Sequence, residues 1–130
     1  MQFTTEVDTL QGALKRAARV IERRNNIPIL GNLLLRIDDG NLLVTGTDLD
    51  IITTVRVGTE LGSTVDGAVT VPGHMLRDFA AKLPSGAQVA FEYIGTAGNG
   101  ETQATIKAGR TRAKLSILPA IDFPTFGTIV

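Results

Sequence analysis

Asp48 and Asp50 stand close together in the run VTGTDLDI (Val44–Ile51). Two carboxylates at that spacing can hold a divalent cation, but a magnesium site needs further ligands and a substrate phosphate. The surrounding sequence supplies neither, so a structural part in the motif is the better reading and no metal is expected. Nucleophilic catalysis fares no better. The chain has no cysteine, which excludes thiolate nucleophiles, thiolate metal ligands and disulfides. Ser63, Ser85 and Ser116 have a single histidine, His74, to draw on, and none sits in a G-x-S-x-G elbow. The glycines of GTAGNG (Gly95–Gly100) are not followed by the Lys-Ser/Thr of a phosphate-binding loop. They read as a hairpin tip. No catalytic residue and no cofactor is expected, and a small magnesium-dependent hydrolase is the weakest reading of the chain.

Charge is more informative. The total is neutral, with 13 Lys+Arg against 13 Asp+Glu, which alone argues against a tight nucleic-acid binder. The distribution is polarised. Lys15, Arg16, Arg19, Arg23 and Arg24 fall in one stretch with only Glu22 to oppose them, whereas Asp38, Asp39, Asp48, Asp50 and Glu60 face only Arg56 across residues 37–60. On a helix, Lys15, Arg16, Arg19 and Arg23 lie away from Leu10, Leu14 and Ala17. That face is either simply solvated or a surface for phosphates. His74, Arg77 and Lys82 add cations to a second helical segment; His74, without a second histidine, has no partner for a metal site and can equally be an ordinary surface residue.

The elements that position these residues follow from periodicity. At 130 residues, with 43% hydrophobic and 20% charged side chains, one globular domain is expected. The start MQFTTEV lacks a basic patch followed by an apolar run, and the longest apolar runs, such as Leu33-Leu34-Leu35, are far too short for a bilayer. A cytoplasmic protein without membrane contact is expected. Gln2–Val7 alternates as a strand. Asp8 has the look of an N-cap, with Gln11 completing a capping box, ahead of a helix over about residues 9–22 that buries Leu10, Leu14, Ala17, Ala18 and Ile21. Strands are predicted at Asn32–Ile37, Leu42–Gly46 and Ile51–Val57, the first two joined at Asp38-Asp39-Gly40-Asn41. The pattern then repeats. A strand at Ala68–Val71 precedes a helix opened by Pro72-Gly73, with Met75, Leu76, Phe79, Ala80 and Leu83 on its buried side. Strands follow at Gln88–Ile94, Thr102–Ala108 and Ala113–Leu118. Both halves read strand–helix–strand–strand–strand, an internal repeat of elements. Aligning VTGTDLDI with IKAGRTRA (Ile106–Ala113) sets Asp48 and Asp50 against Arg110 and Arg112. Oppositely charged related edges suit head-to-tail assembly, which closes into rings when the rotation allows.

Several motifs carry a resemblance. PILGNLLL (Pro28–Leu35), LVTGTDLD (Leu43–Asp50), Val71-Pro72, Lys82-Leu83-Pro84 and LPAIDFP (Leu118–Pro124) occur in the order found in the bacterial sliding clamp, the beta subunit of the replicative DNA polymerase. The similarity runs from Met1 to about Phe126. It implies an α+β fold: two pseudo-symmetric βαβββ units, with two helices on one face and antiparallel sheets on the other. In that family a subunit has three such domains, and two subunits form a ring around duplex DNA. The resemblance covers the first domain, so residues 1–122 are expected to be that domain and 123–130 the start of a linker to a second.

The resemblance also implies roles. The helices turn toward the central hole, so Lys15, Arg16, Arg19, Arg23 and Arg77 become candidate DNA contacts. Arg24 falls where the family carries a DNA-contacting arginine, and His74 at a basic position near the DNA. Arg110, Arg112, Ala113 and Leu115 correspond to positions that build the contact with a second clamp subunit. The main pocket for DNA polymerase and clamp-loader peptides lies between the family's second and third domains, which this sequence does not cover. A free-standing basic-helix DNA-binding module is the alternative reading.

Overall fold

The architecture was obtained as a computed structural model, which describes residues 1–22, 27–59, 64–94 and 102–124. Strand β1 (Gln2–Glu6) runs directly into helix α1 (Val7–Ala18). A single 3-10 turn (Pro28–Gly31) leads to β2 (Asn32–Asp38), β3 (Asn41–Thr47) and β4 (Ile52–Val57). The second half gives β5 (Gly67–Pro72), α2 (Gly73–Ala81), β6 (Gln88–Glu92), β7 (Gln103–Ala108) and β8 (Thr111–Ser116). A short β9 (Leu118–Pro119) and a 3-10 turn (Ala120–Asp122) follow.

Strand pairing makes the two halves interlock. One sheet has the order β1-β6-β7-β8 and the other β4-β3-β2-β5-β9, with all pairs antiparallel. Each half therefore lends its first strand to the other half's sheet. The repeat read in the sequence is present in space as a pseudo-two-fold. Where β1 meets β6, Phe3 lies opposite Phe91 with ring centroids 5.1 Å apart and stacked, so the exchanged strand is pinned by an aromatic pair.

Period-two alternation delivers the core. Leu33, Leu35 and Ile37 of β2, Leu42 and Val44 of β3, Val69 and Val71 of β5, and Val89 and Phe91 of β6 are buried. Helix α1 meets them with Val7, Leu10, Ala13, Leu14, Ala17 and Ala18, the spacing of a single helical stripe. Its three alanines let the backbone come close. Gly46 of β3 is the matching concession, because a Cβ there would collide with the Ala17 carbonyl oxygen. At the β2–β3 turn, Asp39 (φ 52°) and Gly40 (φ 80°) both take positive φ, as a two-residue hairpin of the right twist requires.

Four expectations are corrected. Helix α1 begins at Val7 and ends at Ala18, and Asp8 does not cap it; the N-cap is Glu6, without a side-chain bond. Pairing of β1 with β6 carries the chain into the helix in register, and Val7 N–H is satisfied by the Ala87 carbonyl at 2.9 Å. Met75 is 59% exposed, and Gly73, Leu76 and Ala80 form the buried side of α2 instead. The strand expected at Ala113–Leu118 is two pieces: β8 ends at Ser116, and Leu118 crosses to the other sheet to pair with Thr70. That crossing is held by polar groups, with Asn32 donating to Thr70 Oγ1 at 2.9 Å and Thr70 donating to the Leu118 carbonyl at 2.9 Å. Finally, Phe123, taken as the first linker residue, is buried and belongs to the domain. No helix among the described residues is long and apolar enough to cross a membrane.

Candidate nucleic-acid interface

The face of α1 opposite its buried stripe carries Lys15, Arg16 and Arg19, all exposed. Lys15 and Arg16 sit in the last helical turn and Arg19 is the C-cap. Free carbonyls and the negative end of the helix dipole favour cations there, and Arg16 Nε donates to the Gly12 carbonyl at 3.3 Å. Arg23 and Arg24 lie outside the described residues.

Helix α2 packs alongside α1, and side chains fasten the two. Gln11, expected to face its own helix terminus, instead donates through Nε2 to the Ala80 carbonyl at 2.7 Å and the Leu83 carbonyl at 3.4 Å. Asp8 accepts from Ser85 Oγ at 3.0 Å and from Gly86 N–H at 3.2 Å. Between the helices lies an open groove of about 460 Å³ lined by Gln11, Lys15, Arg77 and Ala81. Arg77 is held by its neighbour Asp78, whose Oδ1 accepts from Nε at 3.1 Å and from the terminal guanidinium nitrogen at 3.0 Å. Lys15 and Arg77 thus reach one groove from opposite halves of the repeat, with Arg16 and Arg19 further along the same helix.

His74 is not a surface histidine. It is half-buried, and its Nε2 lies 3.3 Å from the Ile21 carbonyl. A carbonyl only accepts, so Nε2 carries the proton and donates. Nδ1 is buried with no partner among the described residues. The ring is aimed at the end of α1 rather than at solvent.

The candidate subunit contact lies on β8, an edge strand of its sheet. Arg112 is exposed there, as is Arg110 in the turn before it, and Ala113 is half-buried against the core. Leu115 is corrected: at 2% exposure it is a core side chain, and only its backbone is at the edge. Alternation explains the split, since Thr111, Ala113 and Leu115 share one face and Arg112 and Lys114 the other. Lys107 lies directly opposite Arg112 across the β7–β8 hairpin. Lys107 and Lys114 were missed in the sequence, yet a two-residue turn at Gly109-Arg110 with period-two alternation brings both beside Arg112.

The acidic counterpart is also corrected. The connection from β3 to β4 is longer than that from β7 to β8, so the pair matching Lys107–Arg112 is Thr45–Thr54, with hydroxyls 3.1 Å apart. Asp50 is therefore not the counterpart of Arg112. Asp48 Oδ1 accepts from Asp50 N–H at 2.9 Å and Ile51 N–H at 2.7 Å. Thr47 Oγ1 accepts from Leu49 N–H at 2.9 Å, and Leu49 is held at φ 82°. The motif builds its own loop. No cluster of His, Asp or Glu suited to a metal occurs among the described residues.

Comparison with known proteins bears on this surface. A family model described as the DNA polymerase III beta subunit, N-terminal domain, matches residues 1–127. The chain is 39% identical over 124 residues to the beta sliding clamp of Escherichia coli (strain K12), covering 95% of this chain and 32% of that protein. The beta sliding clamp of Caulobacter vibrioides is 38% identical over 128 residues, covering 98% of this chain and 33% of that protein. A solved sliding clamp from Pseudomonas aeruginosa superposes with a TM-score of 0.90 at 36% identity, over 100% of this chain and 33% of that one. The chain thus spans about a third of the length of the relatives it matches.

Proposed function

The chain belongs to the family of DNA polymerase III beta subunit N-terminal domains, and on that footing we propose that it serves as one segment of a ring encircling duplex DNA, a processivity factor that tethers the replicative polymerase in the bacterial cytoplasm. The observation that carries this reading is the placement of Lys15, Arg16, Arg19 and Arg77 on the solvent side of two helices whose other side is packed into the core. A helical face bearing long, mobile cations attracts phosphates without reading bases. Contacts of this kind are salt-sensitive and indifferent to sequence, which is what a ring that must slide requires. In the sequence, Arg23 and Arg24 continue the cationic run of Lys15, Arg16 and Arg19. His74 acts behind this surface rather than on it. The role is topological and calls for no chemical step.

The second surface is the free edge of β8. Arg110 and Arg112, with Lys107 and Lys114 on the same outward side, suit an acidic strand edge of a second clamp subunit, while Ala113 supplies a small apolar contact. DNA polymerase and clamp loader engage parts of the ring outside this chain. A clamp-binding peptide should therefore give no heat of binding to it in calorimetry.

The decisive test is the affinity of this chain for a labelled duplex at a series of salt concentrations. Weak binding, near or above the non-specific range of roughly 10⁻⁴ to 10⁻⁶ M, equal for unrelated sequences and lost with salt, is expected. Tight binding to one sequence would instead establish a free-standing DNA-binding module.

A further inference from the structure

The groove between α1 and α2 lies on the pseudo-two-fold of the domain. Counted from the starts of Val7–Ala18 and Gly73–Ala81, Gln11 and Arg77 hold equivalent places, and so do Lys15 and Ala81. These four are the lining among the described residues. The place is symmetric but its chemistry is not: one cation comes from each half, set diagonally, with an amide and a methyl group at the related corners. Gln11 is not available to a ligand through its amide nitrogen, which is committed to the Ala80 and Leu83 carbonyls. Among the described residues the ionic groups lining the groove are therefore Lys15 and Arg77, and charge complementarity selects an anion.

Resting on the DNA reading above, the geometry points to Lys15 and Arg77 as the two sides of a single seat for a duplex phosphate, with Asp78 as a built-in competitor for the Arg77 guanidinium. Asp78 occupies Arg77 through a single oxygen, Oδ1, which takes both of its N–H contacts. Its side chain is 60% exposed and that of Arg77 25% exposed. An exposed ion pair of this kind is held only weakly, so an arriving phosphate can displace the carboxylate and a departing one is replaced by it. Exchange between an internal and an external anion keeps the arginine neutralised at all times. It lowers the gain from each contact and so the barrier to moving from one phosphate to the next.

The test uses the 130-residue chain and a fluorescein-labelled duplex, with affinity measured by anisotropy against sodium chloride. Asp78→Asn should tighten binding about two- to fivefold at low salt, the scale of one exposed ion pair. It should also steepen the salt dependence by up to about 0.9 in log K against log salt, the increment for one neutralised phosphate. In an Arg77→Ala background the same change should have no effect, because the competitor has nothing left to compete for. Lys15→Ala should reduce the gain produced by Asp78→Asn. An equal gain with and without Arg77 would show that Asp78 acts only through net charge and would overturn the proposal, as would no gain at all. Absence of any binding by the unaltered chain at low salt would instead remove the DNA reading, and this proposal with it. Binding that is intact but indifferent to Asp78 removes this proposal alone.

Discussion

Asp8 and His74 hold equivalent places in the two halves, each the second residue of its helix, and each ties its helix to the end of the other. Asp8 receives Ser85 Oγ–H and Gly86 N–H just beyond α2. His74 donates to the Ile21 carbonyl just beyond α1. With Gln11 bridging to Ala80 and Leu83, three side chains lock the helices into a pair. The cations of the two helices are consequently displayed at fixed relative positions.

The Asp8 tie is mostly exposed, so its removal is expected to be mild. Asp8→Ala should lower stability by about 1 kcal/mol, the net worth of a typical hydrogen bond, as read from the urea midpoint at unchanged m. The loss should be clearly smaller in a Ser85→Ala background, where only the Gly86 N–H contact remains to be lost. A loss that simply added to that of Ser85→Ala would show that the two do not act together.

His74 gives a sharper contrast. Glutamine can present an N–H toward the Ile21 carbonyl, whereas alanine cannot. His74→Gln should keep both stability and the salt slope of DNA binding, and His74→Ala should lose about 1 kcal/mol of stability by leaving the carbonyl without its donor. If His74 touched phosphate directly, His74→Arg would tighten DNA binding and steepen its salt dependence. The present geometry instead predicts that His74→Arg destabilises, because a larger charged group would enter a half-buried site.

Much of this fold was legible from the chain alone, and the exceptions share a physical origin. Alternation and helical spacing located both helices and every strand but the short β9 to within a few residues, because Leu33, Leu35, Val44, Leu10 and Leu14 are core residues at ordinary periods. What local pattern does not contain is which distant group a polar side chain meets. Asp8 and Gln11 form a capping-box sequence, yet their partners lie beyond residue 79. Leu115 has the exposure pattern of an edge strand only if its neighbours are counted; the alternation that puts Arg112 outward puts Leu115 in the core. Met75 is the other exception: α2 turns Gly73, Leu76 and Ala80 inward, with Phe79 packed against the core, and Met75 falls on the exposed side of that stripe. The opposed charges at the hairpin tips were misaligned because the β3–β4 connection is longer than its counterpart.

Leu115 and Arg112 can be separated by experiment although they are near neighbours on β8. Leu115→Ala should cost about 2–5 kcal/mol, the range for truncating a buried leucine. Arg112→Ala should stay within about 0.5 kcal/mol of the parent, as surface changes do. In a clamp subunit carrying this domain, Arg112→Glu should in turn weaken ring closure, measured as dimer dissociation in sedimentation, without altering the melting of the isolated domain. A stability loss for Arg112→Ala as large as that for Leu115→Ala would mean that β8 is not an edge.

Gly46 tests the seating of α1, on which the display of Lys15, Arg16 and Arg19 depends. A methyl group there meets the Ala17 carbonyl oxygen and, at 3.0 Å, Leu33 Cδ2. The leucine can adjust, but the carbonyl is part of the helix backbone and cannot move without lifting α1 from β3. Gly46→Ala should therefore cost about 3 kcal/mol, the upper end of the usual overpacking range, where an unhindered strand position would gain from the same change. Because α1 would be lifted rather than unfolded, the surviving native population should also bind duplex DNA with a shallower salt dependence. Ala17→Gly restores neither, since the clash is with the backbone oxygen and not with the alanine side chain. Full stability in Gly46→Ala would show that α1 does not rest on β3 at this point, and the cationic face would lose the support that orients it.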